Sequence, residues 1–294
     1  MKHPRLLALV SLGTLVARPA TGQQPTPKVW MGSARAAMLQ FSDTTSLGAL
    51  GGVIEYQALS WLRLGAAPTL VRATSGTTTT SGFGDLPLAL EASGKWAAPL
   101  RPELGASLIM TLPTGRAACG LGSGQTNVGM ELAAGMAPSE RVHLSADASR
   151  SFAGAITLSS LDQPNSTWLD VDSDIDIAPH WTLSLSAGGD VGGADSGSAD
   201  REVGGGLSYA LSSSLGLTVD VSHRLAGLAP RWGVTLSFGT SSTGISALNS
   251  LTPLARQRQL FVGGGGSGGS VGHGRGKPGG GSGGGPPTPT PSGC

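Results

Sequence analysis

The chain has 294 residues, and its 19 Lys and Arg nearly balance its 18 Asp and Glu, which argues against a general nucleic-acid binder with a basic surface. Only 13% of the residues are charged, about half the share of an ordinary soluble domain, so the surface is expected to meet something other than water. Two cysteines are too few for a disulfide scaffold, and no Cys/His cluster has zinc-ligand spacing. The sequence therefore predicts no metal, no cofactor and no nucleic-acid partner.

The first 22 residues have the pattern of a secretory signal peptide. Lys2 and Arg5 form a basic start, the apolar stretch 6–16 follows, and the small residues of Ala20-Thr21-Gly22 supply a cleavage site. A retained anchor is the alternative, but this stretch is too short to cross a bilayer as a helix. We expect export through the inner membrane, with residues 23–28 forming a short periplasmic segment.

Alternation of apolar and polar residues dominates the chain from residue 29 to residue 239. In the segment 168–178, Leu169 and Val171 alternate with Asp170 and Asp172, which gives a strand one apolar and one polar face. The same pattern predicts twelve strands: 29–41, 46–57, 61–72, 83–96, 102–112, 126–137, 141–151, 167–178, 180–190, 201–210, 214–224 and 231–239.

The lengths and connections of these segments favour a barrel that spans a membrane. They run from nine to fourteen residues, whereas a tilted strand needs about 9–11 to cross a bilayer. Short connections alternate with loops of ten to fifteen residues, as in outer-membrane barrels. The sequence therefore predicts an all-β fold, an antiparallel transmembrane β-barrel of about 12 strands with periplasmic termini, in contact with outer-membrane lipid and the barrel-assembly machinery. A soluble β-sandwich is the alternative.

Charged residues collect on the face opposite the apolar one. A wet lumen would solvate these side chains, whereas a soluble core would not, so they are the candidate pore-lining residues. They are Arg35, Glu55, Arg63, Asp85, Glu91, Lys95, Glu103, Glu131, Arg141, His143, Asp147, Asp170, Asp172, Asp174, Asp176, Glu202 and Asp220.

Aromatic residues concentrate near the strand ends, where two girdles would bracket an aliphatic band at the membrane interfaces. At the short-turn end they are Trp30, Tyr56, Trp61, Trp96, Trp181, Tyr209 and Phe238, and at the long-loop end Phe41, Phe83, Phe152, Trp168 and Trp232.

The stripe Asp170, Asp172, Asp174 and Asp176 is the most distinctive local feature of the sequence. One interpretation is a cation-attracting wall of the pore. The other is a polar strand whose carboxylates pair across the barrel with bases such as Arg63, Lys95 or Arg141. A straight strand cannot bring these carboxylates together on one Ca²⁺ ion, so no metal site is predicted.

Three short motifs follow one another between residues 81 and 127. Ser81-Gly82-Phe83-Gly84-Asp85-Leu86 is followed by Thr111-Leu112-Pro113-Thr114-Gly115 and then by Gly122-Ser123-Gly124-Gln125-Thr126-Asn127. The succession resembles the channel-like outer-membrane proteins associated with the phenol meta-pathway of degradation, with Asn127 where such sequences more often have Asp. The resemblance implies a barrel that passes small, often hydrophobic molecules. A local interpretation is turn chemistry: Gly for positive φ, Pro to end strand pairing, and Asp to accept hydrogen bonds from loop amides.

The leading functional prediction is passive or facilitated passage of small solutes, hydrophobic or aromatic ones included, across the outer membrane. A structural or plugged barrel that anchors the envelope is the first alternative. An outer-membrane hydrolase is the second, because His143, Ser145 and Asp147 share one strand face. Their spacing along a strand, about 7 Å, is loose for a nucleophile and its base, so we expect no enzyme and no catalytic residue.

The end of the chain differs from the strands. Residues 240–262 are expected to hold a short amphipathic segment, and the Gly- and Pro-rich residues 263–294 a disordered tail, because 16 of the 48 glycines lie there. Since this end would lie in the periplasm, far from the long loop that holds Cys119, a bond between Cys119 and Cys294 is not expected.

Overall fold

The computed structural model describes residues 29–119, 121–152, 167–191, 200–212, 215–227 and 230–240. Apart from one short 3₁₀ turn at Ala117–Cys119, the regular structure of this part of the chain is β. The strands are β1 (Val29–Ser42), β2 (Thr45–Leu59), β3 (Leu62–Ala66), β4 (Thr69–Ser75), β5 (Thr78–Phe83), β6 (Leu86–Lys95), β7 (Glu103–Leu112), β8 (Asn127–Met136), β9 (Val142–Phe152), β10 (Thr167–Ala178), β11 (Trp181–Asp190), β12 (Arg201–Ala210), β13 (Leu215–Ala226) and β14 (Trp232–Thr240).

The strands form one closed antiparallel barrel. Each strand from β6 to β14 pairs with the next, and β1 closes the sheet by pairing with both β14 and β2. β3 and β4 both pair with β2 and form one strand interrupted at residues 67–68, and β5 and β6 likewise form one strand interrupted at residues 84–85. The fourteen segments therefore make twelve barrel strands, as the sequence predicted.

The outer surface of the barrel is apolar along most of its height. Leu50 and Ile54 of β2 are 58% and 52% exposed, and Val221 of β13 and Leu236 of β14 are 53% and 47% exposed. Their neighbours along each strand point inward, so alternation places the polar side chains inside. An aliphatic outer band around a polar interior is the pattern of a barrel that contacts lipid. Among the described residues, no helix has the length and hydropathy needed to cross a membrane.

Two details differ from the sequence prediction. The segment 73–82, expected as a long loop, instead continues β4 and forms β5, with a turn at Gly76 and Thr77 between them. The Ser- and Thr-rich composition was interpreted as a loop, but the β-branched threonines of this segment suit a strand. The strands predicted at 61–72 and 83–96 are each interrupted, the first at Pro68, which has no N–H to donate to its neighbour.

The sequence also predicts four segments outside the barrel: a signal peptide, a periplasmic segment at 23–28, an amphipathic segment at 240–262 and a tail at 263–294. Apart from Thr240, which ends β14, all of these residues lie outside the described part of the chain.

Candidate functional site

The candidate site is the interior face of the barrel. Among the seventeen residues predicted to line it, four are at most 2% exposed: Arg35, Asp85, Asp170 and Asp220. Glu55, Glu91, Glu103, Asp172 and Glu202 are also buried. Arg63, Glu131, His143, Asp147 and Asp174 are half-buried, and Lys95, Arg141 and Asp176 are exposed. Nine of these residues are thus more deeply enclosed than a wide, water-filled lumen would leave them.

The interior residues of β1–β7 form what we call the paired wall. The guanidinium Nη1 of Arg63 lies 3.3 Å from Glu91 Oε1, and Lys95 Nζ lies 3.1 Å from Glu103 Oε2. The same wall also buries apolar side chains, those of Leu39, Ala49, Val53, Ala67, Val71 and Ala89. These two bases thus form ion pairs within their own wall, whereas the sequence left open that they pair across the barrel with the Asp stripe.

The interior residues of β8–β13 form what we call the acidic wall. Asp170 is the cross-strand partner of Asp147, and Asp172 lies between Ser145 and Ser186. Hydroxyls and glycines separate several of the acids, as at Gly204 and Gly206 of β12, whereas Glu202 has Arg224 of β13 as its cross-strand partner. Interior carboxylates therefore come from β9, β10, β12 and β13, with Ser184 and Ser186 of β11 between those of β10 and β12.

Hydroxyl groups donate hydrogen bonds to the two carboxylates of the Asp stripe that lie nearest the short β10–β11 turn. The Ser184 hydroxyl donates to Asp174 Oδ1, and Thr182 Oγ1 donates to Asp176 Oδ1 over 2.7 Å. These contacts orient the carboxylates along the wall without neutralising their charge. No group of three or more His, Cys, Asp or Glu in the described ranges has the geometry to hold a metal ion.

The three sequence motifs meet at the interruption between β5 and β6. Asp85 is 0% exposed, and its Oδ1 accepts the Gly115 N–H at 2.9 Å while its Oδ2 accepts the Ser123 N–H at 2.7 Å and the Ser123 hydroxyl at 2.8 Å. Thr114 Oγ1 donates to the Gly84 carbonyl over 2.8 Å. The local interpretation, in which Asp accepts hydrogen bonds from loop amides, is confirmed. The sequence did not indicate that three separated motifs make one contact.

Glycines are required at this contact. A Cβ on Gly115 would lie 2.4 Å from the Leu121 carbonyl oxygen, and a Cβ on Gly122 would lie 2.3 Å from Asp85 Oδ1. Gly124 has φ of +70°, a conformation that glycine adopts without strain. The motif glycines therefore allow the β7–β8 loop to approach the Asp85 carboxylate closely.

Ten of the twelve girdle aromatics lie outside the interior face. Near the short turns, Trp30 packs on Tyr56 and Trp181 on Tyr209, with ring centroids 4.8 Å apart in both pairs. Phe41 and Trp168 differ, because they share the interior parity of Leu39 and Asp170. Phe41 packs against buried Leu39 and Ala49, and Trp168 Nε1 faces Gly188. The alternation of the sequence already assigns both residues to the inner face.

The His143, Ser145 and Asp147 side chains do not assemble as a catalytic triad. The His143 ring lies over Gly135 of β8, and its Nδ1 has no hydrogen-bond partner among the described residues. Ser145 lies opposite Asp172 on the neighbouring strand. The three residues therefore act as separate interior groups.

Cys119 lies in the β7–β8 loop and is disulfide-bonded. The only other cysteine in the chain is Cys294, which lies outside the described residues. The expectation that Cys119 and Cys294 do not form a bond is therefore wrong. It rested on distance, but the 54 residues after Thr240 could extend to roughly 180 Å, so reach does not limit the bond.

Comparisons with known proteins agree with this architecture. A family model described as "Putative MetA-pathway of phenol degradation" matches residues 28–241. An outer membrane channel from Pseudomonas putida F1 is 18% identical, with a TM-score of 0.57 over 76% of this chain and 99% of its own. The KdgM porin is 11% identical, with a TM-score of 0.47 over 73% of this chain and 100% of its own. No curated protein matches.

Proposed function

We propose that this chain, which belongs to the family described as "Putative MetA-pathway of phenol degradation", is an outer-membrane channel for small solutes. Its fold is that of the Pseudomonas putida F1 outer membrane channel. Passage would be passive or facilitated, and the family's description suggests that hydrophobic aromatic solutes are among those carried. The predicted partners are outer-membrane lipid, the barrel-assembly machinery and the solute itself.

The observation that carries the proposal is that the barrel is apolar on the outside and polar on the inside, the opposite of a soluble protein. Large apolar side chains cover the outside, whereas Arg35, Glu55, Asp170 and Asp220 lie inside, each at most 3% exposed. A soluble sandwich buries its apolar face, because that burial stabilises it. Only a protein surrounded by lipid gains from the opposite arrangement.

A second candidate, the plugged structural barrel, is favoured by one observation. Asp85, Asp170 and Thr235 on the inner face are at most 1% exposed. Side chains that line a wide aqueous pore would keep more contact with water. A narrow passage and a closed lumen both account for this burial, and they differ in whether ions cross.

Planar-bilayer recording of the purified, folded barrel separates these two candidates. The channel proposal expects discrete conductance steps and swelling of liposomes in small sugars. Heat-denatured protein, recognised by its altered gel migration, is the control. A folded barrel that shows neither steps nor swelling would support the plugged barrel instead.

We propose no enzymatic activity. The hydrolase alternative would need Ser145 as nucleophile, but the nearby His143 ring lies over Gly135. Ester or peptide hydrolysis that is present in the wild type and lost in Ser145→Ala would contradict this assignment.

A further inference from the structure

The β7–β8 loop lies against the inside of the barrel wall. Its described residues are 113–119 and 121–126, and it covers the inward-facing side of β5 and Asp85. Thr80, on that parity, donates its hydroxyl to the Cys119 carbonyl over 3.1 Å. A Cβ on Gly82, also on that parity, would lie 2.9 Å from Leu121 Cδ1. Leu121 itself is only 2% exposed, so this part of the loop packs against the interior face, while Arg116 and its neighbours are exposed.

The loop lies beside a step in the barrel wall. β7 ends at Leu112, which pairs with Leu86 of β6, and β8 begins beside Thr111. β5 continues beyond this level with β4 as its strand partner. The loop therefore occupies the step between the extended β4–β5 hairpin and the shorter strands β7 and β8, at the long-loop mouth of the barrel.

The Asp85 carboxylate is the main attachment of this loop to the wall. It accepts hydrogen bonds from both ends of the loop, at Gly115 on the β7 side and at Ser123 on the β8 side. Hydrogen bonds to a charged acceptor are stronger than those between neutral groups. The carboxylate is also fully buried, so water does not compete for these amides.

We infer that Asp85 holds the β7–β8 loop as a constriction at the extracellular mouth and thereby sets the size limit of the pore. This inference rests on the proposed channel function. Removing the carboxylate would release the loop from the interior face and widen the mouth. The residue acts through the loop, so it is a positioning residue and does not contact the solute.

Two variants test the constriction by different means. Asp85→Asn keeps the size of the side chain but removes its charge and one acceptor oxygen. Gly122→Ala keeps every charge but places a Cβ where the carboxylate oxygen and the Gly115 Cα lie within 2.9 Å. We expect both to raise the molecular-mass cutoff for polyethylene glycols in planar bilayers and to increase single-channel conductance by about twofold, as expected when a constriction widens.

Matched controls separate loop release from general effects. Asp43→Asn removes a carboxylate from the exposed β1–β2 turn, where it contacts Arg231 at 3.5 Å. Gly48→Ala adds a Cβ whose nearest contact is 4.0 Å away. Both should keep the wild-type cutoff. Cys119→Ser, alone and combined with Asp85→Asn, shows how much the disulfide at Cys119 contributes to holding the loop.

A second measurement works even if no variant conducts. Trypsin cleaves after Arg116, which is exposed at the start of the loop, and cleavage requires local opening. We expect Asp85→Asn and Gly122→Ala to be cut at Arg116 roughly tenfold faster than wild type, because at least one charge-assisted hydrogen bond is lost. Heat-modifiable gel migration confirms that each variant is folded.

The outcomes distinguish the two proposals. Faster cleavage with a larger cutoff supports the constriction. Faster cleavage in a barrel that never conducts would overturn the channel and leave the attachment intact. An unchanged cutoff with folded protein, in both variants, would overturn the constriction while the channel stands. Cleavage at the wild-type rate in both variants would show that Asp85 does not hold the loop.

Discussion

The paired wall and the acidic wall face each other across the same barrel but differ in what lies beside their acidic side chains. On the paired wall, Glu91 and Glu103 lie next to Arg63 and Lys95, at 3.3 Å and 3.1 Å. On the acidic wall, Asp147 and Asp170 are direct cross-strand partners. Like charges opposite one another destabilise a sheet unless other groups or ions screen them.

The comparison indicates a division of roles. Ion pairs and buried aliphatic residues stabilise the paired wall by contacts within the protein. The acidic wall gives the interior an excess of negative charge, and such an excess raises the local concentration of cations. We therefore expect a conducting pore to prefer cations mildly, with the preference originating on the acidic wall.

The largest expected effect is on selectivity. Replacing Asp170, Asp172, Asp174 and Asp176 by Asn removes four negative charges from one strand of the acidic wall. We expect the cation-to-anion permeability ratio to fall by about twofold or more, measured as the reversal potential in a salt gradient. Asp43→Asn, on the extracellular β1–β2 turn, is the control. An unchanged reversal potential in the quadruple variant would show that the stripe lies outside the conducting path.

Substitutions in the paired wall should mainly change the free energy of unfolding of the barrel. Arg63→Met removes the partner of Glu91, whose side chain is 4% exposed, whereas Arg231→Met removes the partner of Asp43, whose side chain is 95% exposed. We expect Arg63→Met to lower the free energy of unfolding by about 2–4 kcal/mol, because a carboxylate stays buried without that guanidinium. Arg231→Met should have little effect. Urea titration in micelles measures both, and equal losses would contradict the distinction.

The sequence predicted this architecture because alternation reports directly on the two faces of a strand. It placed all twelve barrel strands, the last ending one residue before Thr240. It missed the extension of the β4–β5 hairpin, because Ser and Thr occur in both loops and strands. It did not predict the hydrogen bonds that Asp85 accepts from residues 115 and 123. These residues meet because the β7–β8 loop folds back onto the barrel wall, and the periodicity of a sequence gives no sign of how a loop folds.

A smaller effect is expected within the acidic wall, where Trp168 faces Gly188. A Cβ at residue 188 would lie 2.7 Å from Trp168 Nε1 and 3.0 Å from the Leu169 carbonyl oxygen. Gly188→Ala should therefore displace the indole and lower the free energy of unfolding by about 1–3 kcal/mol. Gly205→Ala is the control, because its Cβ would have no neighbour closer than 3.7 Å.

Tryptophan fluorescence adds a local readout to that pair of variants. Displacement of an indole from the interior would shift the emission maximum of Gly188→Ala but not that of Gly205→Ala. The same unfolding midpoint and the same spectrum in both variants would show that the interior around Trp168 accommodates a methyl group, and hence that this wall is less closely packed than the distances indicate.

The smallest effect on folding is expected from removing residues 241–294, which the sequence predicts to be a periplasmic extension. The cut follows Thr240 because its Oγ1 accepts the Gly32 N–H at 2.9 Å and closes β14 on β1. We expect normal folding. A tail that stays in the periplasm predicts unaltered conductance, with Cys119→Ser as the control for the cysteine lost with the tail. If the basic residues of the tail, among them Arg256, Arg258 and Lys277, instead entered the lumen and screened the acidic wall, truncation would give a larger pore with stronger cation preference. The disulfide at Cys119, on the loop at the extracellular mouth, favours this other model, because Cys294 at the end of the tail is the only other cysteine of the chain. Failure of the truncated chain to insert would contradict both models, because it would mean that barrel closure depends on residues beyond β14.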